Sequence, residues 1–208
     1  MTEAGAASPA EDIAYVRQLS ESGARAPLLG GRFMAWWGFL VAAAYVAEHL
    51  AINNVIGDGK SIYGIIWGSF GLTGALGQML LSRTIAGKAG AGSAGNRATR
   101  SVWVGAACAI GSMVVGTFVL AQNGGGREAF DWIAPVAFAV YACCLVVMGA
   151  LAGDRTVVAA GIGAAIMVGL FTAFILHPDR YLLAAAGSAA TVMLPGLLLV
   201  MREPKKQA

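Results

Sequence analysis

The chain has 208 residues, 58% of them hydrophobic and only 12% charged, with a formal net charge of +3 and a mean hydropathy of +0.70. Soluble domains carry about a quarter of their residues as charges, so this composition excludes an ordinary soluble enzyme or a nucleic-acid-binding domain and points to the lipid bilayer. The apolar runs are long and continuous, not alternating, which sets aside the strands of a membrane barrel.

The first 32 residues carry Glu3, Glu11, Asp12 and Glu21 and lack the basic-then-apolar layout of a cleaved leader. The first apolar run is therefore expected to stay as a signal anchor. Within this prefix, Ser8, Pro9 and Glu11 form a helix start: a capping hydroxyl, proline at the first helical position and a carboxylate three residues after the cap. Ile13, Val16 and Leu19 follow at intervals of three, and Gly23 and Pro27 end the pattern. The expectation is an amphipathic helix over 9–22 with an apolar stripe of Ile13, Val16 and Leu19. Three acids and one arginine between residues 11 and 21 suit docking on protein better than on anionic lipid.

Six apolar runs follow, at 33–54, 62–82, 101–121, 132–152, 156–176 and 181–201. A helix rising ~1.5 Å per residue needs about 20 residues to cross ~30 Å of hydrocarbon, so each run is a predicted span. The expected fold class is all-α: a polytopic bundle of six transmembrane helices (33–201) behind a cytoplasmic segment (1–32) and ahead of a basic tail (202–208). The stretches 99–121 and 154–176 echo each other, each opening with arginine, a hydroxyl residue and valine, which suggests that helices 3–4 and 5–6 are duplicated hairpins.

Orientation comes from lysine and arginine. With six spans, eleven of the fourteen basic residues share the side of the two termini, leaving Lys60, Arg127 and Arg180 opposite. The bias places both termini and the basic-ended connector 83–100 in the cytoplasm, and the glycine-rich turn 121–131 outside. Trp36, Trp37 and Trp103 are expected as anchors at the inner interface, with Tyr63, Trp132 and Tyr181 at the outer one.

Small residues are the expected glue between helices. Gly64, Gly68, Gly71, Gly74 and Gly77 recur at three and four and predict one ridge on the second span, and Gly161, Ala165 and Gly169 predict another on the fifth. Pro195-Gly196 is expected to interrupt the sixth. Cys108, Cys143 and Cys144 have neither the spacing of a zinc site nor that of a CxxC pair, and read as small packing residues.

One stretch carries chemistry. In "AYVAEHLAINN" (43–53), Glu48 and His49 are the adjacent ionisable pair inside a long apolar run, with Tyr45 on the same face at i+3 and i+4. The second histidine, His177, ends the fifth span on the same side. Tyr45, Glu48, His49 and His177 are thus the candidate residues of an outward-facing ligand or proton pocket. No catalytic motif accompanies them, and neither a cofactor nor a dedicated metal site is expected.

The leading expectation is a non-enzymatic, multi-pass inner-membrane protein of bacterial type, acting as an accessory, assembly or regulatory subunit through helix contacts and its N-terminal helix. Its expected partners, besides the bilayer, are a membrane-protein complex or a second copy of itself, and not nucleic acid. The alternative is a small transporter or channel-like protein with an outward-facing polar or metal-binding pocket around Glu48, His49 and His177.

Overall fold

An apolar run gives its backbone polar groups no partner but one another, and each of the six runs closes into helix. The computed structural model describes Ile13 and residues 28–57, 60–85, 88 and 90–203. The helices are α1 (Gly31–Ile52), α2 (Lys60–Ile85), α3 (Ala94–Leu120), α4 (Ile133–Ala152), α5 (Arg155–Ala173), α6 (Arg180–Ser188) and α7 (Leu194–Arg202). A wide π-type turn, Ala189–Met193, joins α6 to α7 in one rod. Among the described residues six helical rods are long and apolar enough to cross a membrane, and no strand occurs. Of the expected N-terminal helix only Ile13 is described, helical and exposed; Val16 and Leu19 lie outside the described residues.

The breaks between rods have local causes. Gly153 takes a left-handed φ of +65° to end α4, and Asp154 then caps α5 by accepting from the backbone N–H of Thr156 (2.8 Å) and Val157 (3.3 Å). The hairpin between them is correspondingly tight. Pro195 has no N–H to offer the carbonyl four residues back, and the wide turn lies immediately before it. The connector expected over 83–100 is shorter than its composition suggests. Helix α2 runs on to Ile85 and α3 begins at Ala94, where the Ser93 side chain accepts from Asn96 N.

In space the rods follow the order α2, α1, α6/α7, α5, α4, α3. Helices α2 and α3, consecutive in the chain, stand at opposite ends of that order. The centre is filled by Phe138, Leu145, Met148, Val157 and Phe171, each at most 1% exposed. Glycine sets the closest crossings. A Cβ on Gly38 would meet the Met193 backbone, one on Gly31 would lie 2.7 Å from Leu199 Cβ, and one on Gly196 would strike α1 at Met34 and Ala35. Gly149 and Gly161 play the same part between α4 and α5.

The five-glycine ridge on α2 needs correcting. Gly74 and Gly77 are covered by Trp37 and Trp36 of α1, but Gly64, Gly68 and Gly71 have nothing within 4 Å. Each three-residue step turns about 300°, so a row stepped mostly by threes drifts round the helix instead of holding one face. On α5 only Gly161 meets a neighbour; Ala165 is exposed and Gly169 opens on space.

At the end of the bundle where α1 begins and α7 finishes, a carboxylate ties three segments together. Glu203 accepts from Arg32 Nη2 (2.9 Å) and Lys88 Nζ (2.6 Å), joining the end of α7 to the start of α1 and to the α2–α3 connection. The opposite, far end carries the candidate site.

Candidate functional site

At the far end three connections meet: the 53–57 turn after α1, the 121–132 segment before α4, and the 174–179 turn before α6. Glu48 lies one turn from the end of α1. Its helix already bonds its own backbone, so the side chain alone decides whether a charge sits in the core. It does: Glu48 is 6% exposed, on the buried face with Tyr45, and it does not run out along the helix to water. An unpaired carboxylate there would cost several kcal/mol. Trp67 Nε1 of α2 donates to Glu48 Oε2 (3.1 Å), and Arg127 Nη2 stands 3.6 Å from Oε1.

A second carboxylate, Asp131, is equally buried. It sits in a short 3₁₀ turn, Arg127–Trp132, that the glycine-rich segment delivers onto the mouth of the bundle. Arg180 Nε donates to Asp131 Oδ1 (3.1 Å), and the Tyr181 hydroxyl donates to the same oxygen. Aromatic rings bridge the two acids: Tyr45 stacks on Tyr181 (centroids 6.1 Å apart) and meets Trp67 edge-on (5.5 Å). Each guanidinium also lies on a ring, Arg127 over Tyr63 (4.0 Å) and Arg180 over Tyr181 (4.6 Å). The result is a closed polar layer in which each buried acid has one arginine and one ring-borne donor.

The histidines stand apart from this layer. His49 Nε2 lies 3.9 Å from Asp179 Oδ1, and His177 Nδ1 lies 3.8 Å from Asp179 Oδ2. Asn53 Nδ2 sits 3.4 Å from His49 Nε2. The four sequence candidates therefore divide. Tyr45 and Glu48 face the buried aromatic layer, while His49 and His177 flank a half-exposed aspartate on the rim. The physical reason is the ~100° turn between neighbouring helical residues, which sends Glu48 and His49 to different sides of α1. Among the described residues no group of three His, Cys, Asp or Glu side chains is set to hold a metal ion.

Trp67, Arg127, Asp131 and Arg180 were not among the candidates, and Tyr63 and Tyr181 entered only as interfacial anchors. The signal for the arginines was present. Only three basic residues fall on the depleted side of the charge distribution, and Arg127 and Arg180 are two of them. A cation where the bias disfavours one has a local reason to be there, and both are counter-ions. Neither a family model, nor a curated protein, nor a solved structure matches this chain.

Proposed function

We propose that the chain is a non-enzymatic, multi-pass protein of a bacterial-type inner membrane, with both termini cytoplasmic. In this reading it serves as an accessory or assembly subunit within a larger membrane complex. One observation carries the reading: α1 and α4–α7 seal a dense apolar core among themselves, while α2 and α3 stand at the ends with most of their surface open. Only 11% of the most apolar stretch of either is buried, against 50% in α4 and in the α6/α7 rod. Small residues on such a face let another helix approach within lipid, where no hydrophobic force pairs helices. Gly64, Gly68 and Gly71 supply them on α2.

The transporter reading draws less support from the geometry. Its carboxylates are both paired, and the centre of the core beneath them is filled by large apolar side chains.

Purification of the tagged parent in a mild detergent, followed by native mass spectrometry, tests the subunit reading. A stoichiometric protein partner or second copy should remain bound, and Gly68→Leu should release it without lowering the melting temperature of the freed chain. A parent that runs as a lipid-bearing monomer, or a Gly68→Leu variant that keeps its partner in full, overturns it.

A further inference from the structure

The two arginines of the far-end layer are held differently. Arg180 is 19% exposed and reaches its carboxylate at hydrogen-bond length, whereas Arg127 is 43% exposed and stops 3.6 Å short of Glu48. Among the described residues, the Arg127 side chain is anchored by a hydrogen bond from Nη1 to the Tyr63 hydroxyl (2.7 Å). Beneath the guanidinium lie a carboxylate that is 8% exposed, an indole N–H that orients it, and a phenol ring as a wall. Anion, flat π-face and an additional acceptor in the Tyr63 hydroxyl suit a planar guanidinium, which offers a flat face and a rigid fork of edge donors; a compact ammonium ion carries the charge without that fork.

The arm that brings Arg127 there is glycine-rich and open to solvent. It follows Gly124, Gly125 and Gly126, of which Gly124 (φ +94°) and Gly126 (φ +64°) sit in the left-handed region, and Asn123 leaves helical geometry just before them. Residues 122–128 are all exposed, and the buried anchors of this segment begin only at Ala129 and Asp131. Glu48, in contrast, is fixed on α1 in the bundle wall.

We propose that Arg127 is the tethered occupant of a cation site formed by Glu48, Tyr63 and Trp67, and that a small free guanidinium cation takes its place from the solvent at the far end. The exchange conserves charge, one cation for another beside one buried carboxylate. Arg127, once released, stays on an exposed loop where water solvates it. The site stands whether or not the chain assembles with a partner.

Calorimetric titration of methylguanidinium into the detergent-purified protein tests this, with sodium chloride matching ionic strength. Arg127→Ala should bind about tenfold more tightly than the parent, because the competing internal cation is gone. Adding Glu48→Gln to that variant should abolish binding. In the parent, saturating methylguanidinium should speed hydrogen exchange across 121–127 while α4 stays protected, a measurement that decides the matter even if Arg127→Ala does not fold. Absence of binding by folded Arg127→Ala overturns the proposal, as does equal binding by the Glu48→Gln double variant. So does unchanged exchange in the parent at saturating methylguanidinium.

Discussion

Helices α2 and α4 are alike in length class and both apolar, yet 50% of one span is buried and only 11% of the other. The same contrast separates α1, α5 and the α6/α7 rod from α3 in degree: 33%, 28% and 50% against 11%. Apolar length decides that a segment can cross a membrane; it says nothing of whether another helix lies beside it, because lipid and leucine are equivalent neighbours. What distinguishes the two regions is where small residues coincide with a crossing. Gly38 and Gly196 admit the opposing backbone on the core side, while Gly64, Gly68 and Gly71 lie open.

The largest test of this contrast exchanges equal chemistry at the two places. Gly38→Leu drives a side chain into the Met193 backbone, which cannot step aside as a side-chain tip can, and should cost about 3 kcal/mol or more. Gly71→Leu meets nothing within 4 Å and should stay within ~0.5 kcal/mol of the parent. Thermal melting of both variants in one detergent is the measurement. Equal losses would mean that the α2 face is covered within the isolated chain.

Much of the fold was legible because it rests on length and hydropathy. The six expected runs lie on the six rods, with ends shifted where a cap rather than a hydropathy change sets the boundary, as Ser93 does for α3. Glu48 was legible as unusual, since a carboxylate in an apolar run has to be satisfied somewhere. Its partners were not. Trp67 lies 19 positions away and Arg127 still further, and pairing across rods depends on an order in space that no periodicity encodes. The expected α2 ridge divides, with Gly74 and Gly77 under α1 and Gly64, Gly68 and Gly71 open, because its steps of three drift round the helix and spacing does not say which neighbour meets each angle.

A second, intermediate effect compares the two buried acids. Arg180→Ala removes the cation that Asp131 shares with the core-side rods and should cost about 2–3 kcal/mol, at or just below the low end for a broken buried pair because the Tyr181 hydroxyl remains. Arg127→Ala uncovers Glu48 on the α2 side, where water can enter the space a 43%-exposed arginine leaves, and should cost about 1 kcal/mol. Chemical or thermal unfolding ranks the two. Equal losses would show that the α2 side of the layer is sealed as firmly as the core side, and would count against an arm that opens.

The smallest effect sharpens the contrast most, because it holds local chemistry constant. Asp154 and Ser93 both cap a helix start by accepting backbone N–H groups, Asp154 for α5 and Ser93 for α3. Losing such a cap costs about 1 kcal/mol of helix stability in either place. What differs is where that loss goes. The first turn of α5 belongs to the α4–α5 hairpin, where Val157 is 1% exposed, so fraying there uncovers the core and should lower the global melting temperature. The first turn of α3 lies on a rod that packs mainly on α4, so Ser93→Ala should leave the melt nearly unmoved and appear instead as faster hydrogen exchange at Asn96 and Arg97. Asp154 also pairs with Arg202 at 3.2 Å, and that contribution has to be removed first. Arg202 is 56% exposed, so Arg202→Ala should change stability by less than ~0.5 kcal/mol, and Asp154→Ala in that background reads the cap alone. If Ser93→Ala then lowers the melt as much as Asp154→Ala does, α3 folds as one cooperative unit with the core, and its open surface does not reflect independence from it.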